Sequence, residues 1–247
     1  MRIDYKLFSC IFLIVLLISC STKKDAFLNR NFHAVTTEFN TLYNGQVAFD
    51  KGIEDINLKY EEDFWSLLPI EAIKFGEKGI EVPSFSRAGG PGGNFNSGQN
   101  QNKNQATTFD RAEEKATKAI QRHSMMVYGV ERNPQIDDAY LLLGKSRYYT
   151  QRFIPAIDAF NYIISKYPKA NLVDETKVWK AKANVRLENE DVAIEDLLAL
   201  LKKEMLDNNI KEQANTALAM AYQKKDSLEA VIDRLIRATK TDENVIQ

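Results

Sequence analysis

The chain of 247 residues is poor in cysteine, histidine, proline and glycine. Each shortage excludes something. Its two cysteines are Cys10 and Cys20. Cys10 falls in an N-terminal apolar run that is read below as removed, so no disulfide forms within the mature part. The two histidines, His33 and His123, stand far apart in the sequence, each without a clustered metal partner. Surface or helix-capping roles are expected for both, with no metal site and no cofactor. Six prolines and eleven glycines are few for a chain built of strands and turns, and favour helix. The charges nearly cancel, at 33 basic against 34 acidic residues. A net charge of -1 gives no electrostatic reason to expect nucleic acid as a partner.

What is present begins with a targeting signal. Arg2 and Lys6 supply positive charge ahead of an almost wholly apolar stretch, residues 7–18. Twelve residues are too short to span a bilayer comfortably as a permanent helix. Leu17-Ile18-Ser19-Cys20 follows and fits a lipobox. The order has a chemical reason: the Cys20 thiol takes the diacylglycerol, and small Ser19 sits beside the bond that the lipoprotein peptidase cuts. Two or three acyl chains hold a protein on a membrane stably, where one does not. Residues 1–19 are thus read as a lipoprotein signal peptide and Cys20 as the lipidation site. The second mature residue is Ser21, not Asp, which favours the outer membrane. The body is expected to face the periplasm.

Residues 20–29 read as a lipidated tether and 30–81 as an N-terminal helical region. Phe32, Phe39, Ile53 and Tyr60 share one heptad position, interrupted by Gln46, and Val35, Leu42, Phe49 and Ile56 share another. That alternation predicts a helical stripe. It fits a coiled-coil seam, but four heptads rich in Phe and Tyr fit the first helices of a packed α-domain better. Gly45 and Gly52 argue against one unbroken helix. Residues 61–79 are expected to continue as helix, restarting at Pro69. The Gly- and Asn-rich stretch 82–106 holds too little apolar surface to fold and is expected to be a disordered loop. Helix resumes near Thr107 and runs to about Met126. A turn from Gly129 to Pro134 leads to a second helical stretch from Ile136 onward. Residues 107–247 form the helical repeat region.

There the sequence resembles itself at an interval of 37 residues. Ala156-Ile157, Ala193-Ile194 and Ala230-Val231 are equally spaced, as are Tyr148, Val185 and Tyr222, and Ile164, Leu201 and Ala238. A recurring small residue lets two helices approach, and the aliphatic residue after it fills the space between neighbouring pairs. This predicts an all-α solenoid of stacked antiparallel helix pairs. The best copy, from Tyr140 to Pro168, resembles the tetratricopeptide repeat (TPR) at Tyr140, Leu143, Gly144, Ala156, Phe160 and Pro168. It departs from that pattern at Arg147, where a tyrosine is expected. The second copy departs further, at Lys177, Ala181 and Met205.

Several motifs mimic catalytic ones. Gly144-Lys145-Ser146 looks like the end of a phosphate loop, but Ala139 stands where its first glycine belongs, and the segment is predicted inside a helix whose amides are already bonded. Glu61, Glu62 and Asp63 are adjacent carboxylates near a helix start, which are usually solvated. With no nucleophile–base arrangement in view, no enzyme and no small-molecule substrate are expected. The surface remains. On a TPR-like stack the first helix of each pair would present Lys145, Tyr148, Tyr149, Trp179, Lys182, Arg186 and Tyr222. Aromatics interleaved with Arg suit a protein interface, although any one of these aromatics serves equally well as core.

The residues Cys20-Ser21-Thr22-Lys23-Lys24, Phe32-His33-Ala34, and Phe39-Asn40-Thr41-Leu42-Tyr43-Asn44-Gly45 carry a more specific likeness. So does Tyr140-Leu141-Leu142-Leu143-Gly144-Lys145-Ser146-Arg147-Tyr148-Tyr149 with Arg152-Phe153. Over essentially its whole length the chain resembles the PorW/SprE lipoproteins, TPR proteins of the type IX secretion system, which serves protein export and gliding motility. The resemblance implies a non-catalytic outer-membrane lipoprotein that links periplasmic ring and motor components to the outer-membrane translocon. Members are normally much longer, so an N-terminal fragment or truncated form is expected. Two other readings stay open on the residues alone. One is a TPR lipoprotein of the β-barrel assembly machinery, and the other is a glycan-binding lipoprotein partnered with a transporter.

Overall fold

The computed structural model describes residues 22–23, 25–65, 68–71, 107–225, 232 and 236. The signal peptide, Cys20 and the loop 82–106 lie outside the described residues, as do Ala230 and Ala238. The chain is predominantly helical. Helix α1 (Phe27–Val35) runs through a π-helical segment (Thr36–Leu42) into α2 (Tyr43–Lys59). Helix α3 (Thr108–His123) is followed by a minimal antiparallel hairpin, β1 (Met126–Val127) with β2 (Val130–Glu131). Then come α4 (Ile136–Tyr149), α5 (Phe153–Lys166), α6 (Val173–Arg186), α7 (Glu190–Leu201) and α8 (Asn208–Lys224). From α2 onward each helix packs on the next in sequence, and α6 also packs on α8.

Local chemistry sets these boundaries. Thr107 and Asp110 form a reciprocal capping box at the start of α3. Asp207 accepts from the amides of Asn209 and Ile210 at the start of α8. The hairpin turns through Tyr128 and Gly129, both at positive φ, the backbone pair that matches strand twist. Helices α4 and α6 end in the same device, 37 residues apart. Gln151 (φ 63) and Glu188 (φ 61) adopt the left-handed conformation. Their amides bond back to Tyr148 and Val185, and the next amides, of Arg152 and Asn189, reach Arg147 and Asn184. That pair of bonds is a Schellman turn, which satisfies carbonyls that a helix end leaves open. The starts of α4 and α6, and of α5 and α7, are separated by the same interval.

The N-terminal region follows the heptad reading at Leu42 and Phe49, which are buried, and at Ile53 and Ile56, which pack on the same cluster, and departs from it before them. Phe32, Val35 and Phe39 are exposed, Phe39 at 61%. The buried line is instead Asn29, His33, Thr37, Thr41, Gly45 and Phe49, one residue in four. On an α-helix a step of four overshoots a full turn by about 40°. The wider π-helical segment absorbs that overshoot and keeps the line on one face. Four of the six residues in the line are polar, which is why a search for apolar periodicity passes over it. Nor does α2 break at its glycines. It runs through both, because they allow α3 and α4 to approach. A Cβ on Gly52 would meet the ring of Phe109 at 2.6 Å, and one on Gly45 would meet Leu142 at 2.8 Å. The expected continuation of helix past residue 60 is also corrected. Helix α2 ends at Lys59, Tyr60 is extended, and 61–63 are non-helical and exposed.

The core falls into three clusters along the chain. Phe49, Phe109, Ala112, Ala116, Leu142 and Leu143 join α2, α3 and α4. Tyr148, Ala156, Phe160, Ile163 and Trp179 join α4, α5 and α6. Val178, Ala181, Ala193, Leu197, Leu218 and Met220 join α6, α7 and α8. Each large side chain buried here contributes roughly 1.5–3 kcal/mol. The small residues, Ala156 and Ala193 among them, are fully covered and set the close helix spacing.

Candidate functional site

Among the described residues no helix is long and apolar enough to cross a membrane, and no three His, Cys, Asp or Glu side chains gather as a metal site. Gly144-Lys145-Ser146 lies well inside α4. The most concentrated chemistry sits on the face shared by α4, α6 and α8, where six of the seven candidate interface residues form one network.

Lys145 on α4 pairs with Glu175 on α6. The Trp179 indole donates to the same carboxylate at 3.3 Å, and the Lys182 ammonium lies 4.5 Å from the Trp179 ring centre. Trp179 meets Tyr148 and Tyr149 edge-on, with centroids 5.5 and 6.0 Å away. Arg186 donates from Nε to the Tyr148 hydroxyl at 3.1 Å. Tyr222, the seventh, is part-buried on α8 against the α6–α8 core.

Sequence reading missed what covers this face. Residues 68–71 lie across it. The Glu71 carboxylate accepts from Lys182 at 2.8 Å, from Arg186 at 2.6 Å and from the Tyr148 hydroxyl at 2.6 Å. Ile70 packs on the α6–α8 core, and the Leu68 carbonyl accepts from Gln223 of α8 at 3.0 Å. Burial alone would raise the Glu71 pKa. Lys182, by charge and hydrogen bond, Tyr148 and Arg186 outweigh it and hold the carboxyl below its ordinary range. The tyrosine hydroxyl, buried beside that carboxylate, is pushed far up and stays a donor. Tyr148 is therefore covered, and Lys182 and Arg186 are engaged within the chain; Trp179 is buried. Nothing in the segment's composition marks Glu71 out from its neighbours. Only the cationic face opposite, distant in sequence, selects it.

A second polar cluster joins the N-terminal helix to the body. His33 and His123, far apart in sequence, meet with Nδ1 atoms 3.1 Å apart. Asn133 donates to Thr37 Oγ1 at 3.0 Å and to the His123 carbonyl at 2.9 Å. The Glu131 carboxylate takes the amides of Met125 and Asn133 and the Ser124 hydroxyl, which braces the hairpin. Partial burial, then His33, Arg122 and Lys118, disfavour the charged form of His123 and lower its pKa. A histidine depressed in the folded state lends stability that is present above its unfolded pKa and lost as pH falls through the folded one. Amide protection factors across 29–41, taken relative to the intrinsic exchange rate at each pH, should therefore fall between about pH 7 and pH 5, and His123→Gln should flatten that dependence. An exchange profile equally steep in the variant would refute this account.

A cleft of about 480 Å3 lies between the π-helical segment and α4, lined by Phe39, Leu42, Tyr43, Asp138, Leu141 and Lys145 among others. Beside it runs an exposed apolar strip: Phe32, Val35, Phe39, Tyr43 and Val47.

No model of a protein family and no curated protein sequence matches the chain.

Proposed function

We propose that this protein is a non-catalytic, lipid-anchored scaffold of the type IX secretion system. Acyl chains on Cys20 hold it to the outer membrane, and its helical body, facing the periplasm, links ring and motor components to the translocon. The finer fold belongs to the same proposal: α4 to α8 are a TPR-like solenoid, with α4–α5 and α6–α7 as successive helix pairs. Support comes from the 37-residue interval, from the matching Schellman turns, and from Gly144 set against Phe160 at the two pattern positions.

The observation that carries the scaffold reading is the face of α4, α6 and α8. It gathers Tyr148, Trp179 and Arg186, of the residue types enriched at interface hot spots, into one bonded network that residues 68–71 cover within the chain. The exposed strip from Phe32 to Val47 adds a second surface of interface character, near in sequence to the proposed anchor.

Pull-down from detergent-solubilised outer membranes tests the reading. Ring and translocon proteins should be captured, and a deletion strain should lose export of type IX cargo. Mass spectrometry should find acyl groups on Cys20. Normal export in the deletion strain would count against the role, and barrel-assembly proteins or a transporter in the pull-down would replace it.

A further inference from the structure

The Glu71 contact has the form of a ligand bound in a site. One carboxylate meets two cations and a phenol from two different helices, α4 and α6. The residue before it fills an apolar patch on the α6–α8 core. A main-chain carbonyl three residues back is held by a side chain of α8. Anchoring by charge, by an apolar side chain and by main chain together is how peptide segments are recognised. Glu71 meets Tyr148 across 77 positions of sequence, so the contact is a long-range one.

We infer that the face of α4, α6 and α8 is a binding site for a short acidic peptide segment of a partner protein, an aliphatic residue followed by glutamate, and that residues 68–71 occupy it in cis as an internal stand-in. The inference rests on the scaffold reading and gives its partner a chemistry. Charge complementarity selects the occupant: Lys182 and Arg186 converge on one point, and a carboxylate fills it. Both are already oriented, Lys182 over the Trp179 ring and Arg186 against the Tyr148 hydroxyl. Preorganisation of this kind lowers the ordering cost for an incoming peptide. The tether works against that peptide, because a segment of the same chain is present at an effective concentration on the order of millimolar. A partner must exceed this, by affinity or by offering several copies.

The probe is a fluorescein-labelled peptide of residues 66–74, added in trans to the full chain in detergent and read by anisotropy. Wild type should bind it weakly. Glu71→Lys places a third cation beside Lys182 and Arg186 and should expel the resident segment, tightening the probe's apparent Kd by about tenfold or more. A probe carrying Gln at position 71 should bind that variant at least about tenfold more weakly than the Glu probe. Arg186→Glu added to Glu71→Lys should restore a cis pair and close the site again. Should Glu71→Lys fail to fold, Glu71→Gln removes only the charge and should still tighten probe binding severalfold. The proposal is overturned if the Glu and Gln probes bind a helical Glu71→Lys chain equally, or if neither binds. A wild-type dimer that the probe dissociates would also overturn it, since a second copy's segment would then be the occupant. None of these outcomes bears on whether Cys20 is acylated or the deletion strain exports cargo, so the two proposals fail separately.

Discussion

Gly144→Ala should destabilise the chain by about 2–3 kcal/mol, seen as a lower urea midpoint with an unchanged slope. Alanine usually gains about 1 kcal/mol over glycine inside a helix, so the expected sign is opposite to the propensity. The reason is steric. A Cβ on Gly144 would lie within 2.8 Å of three ring carbons of Phe160. That ring is fully buried and shares its cluster with Tyr148, Ala156, Ile163 and Trp179. The short Schellman turn at Gln151 fixes how α4 meets α5, so the helices cannot part without breaking it. Phe160→Leu removes the ring atoms that collide, and the double variant should be more stable than the two separate losses predict, by about 1 kcal/mol or more. A Gly144→Ala chain as stable as wild type would show that the two helices are not held at this distance.

The same residues show where sequence reading succeeds. Gly144, Ala156 and Phe160 carry information locally, because their sizes must match across one helix pair and the requirement recurs after 37 residues. The boundary at Ile136 was legible for a similar reason: a turn-rich run precedes it and an apolar one follows. The face of α4, α6 and α8 was legible as a set of residue types, since Tyr148, Trp179, Lys182 and Arg186 fall at helical spacing. Its cover was not. Glu71 is one carboxylate among many in the chain, and only tertiary placement distinguishes it. The apolar period fits the core at Leu42 and Phe49 but not at Phe32, Val35 and Phe39, because the buried line mixes Asn29, His33 and Thr37 with Gly45 and Phe49. Polar groups are stably buried when they satisfy one another, but that satisfaction comes from His123 and Asn133, roughly a hundred positions away. The exposed phenylalanines beside that line then took the period that the core was expected to show.

Asn133→Asp tests that polar joint with almost no change of shape, and it should cost about 4 kcal/mol near neutral pH. The Asn133 amide donates to Thr37 Oγ1 and to the His123 carbonyl, while its oxygen accepts from the Gln135 amide. Aspartate keeps the acceptor and loses both donors. It would turn a charged oxygen toward a carbonyl 2.9 Å away, in a site where Asn133 is 2% exposed and the Glu131 carboxylate already stands close by. Asn133→Ala removes the same bonds without adding charge and should cost about 2 kcal/mol, so the isosteric variant should be the worse of the two. The difference should depend on pH. A carboxyl placed there has its pKa raised in the folded state, so the folded chain holds the proton more tightly than the unfolded one. The penalty is therefore small at low pH, where the protonated acid donates once, and grows as pH rises through the folded pKa. Urea unfolding of the two variants and wild type at about pH 5 and pH 7.5 should show the aspartate deficit widening toward alkaline pH while the alanine deficit stays nearly constant. Exchange should quicken first across 29–41, since α1 and the π-helical segment are tied to the body there through His33 and Thr37. An Asn133→Asp chain within about 1 kcal/mol of wild type at pH 7.5 would mean that this joint contributes little to seating the N-terminal helix.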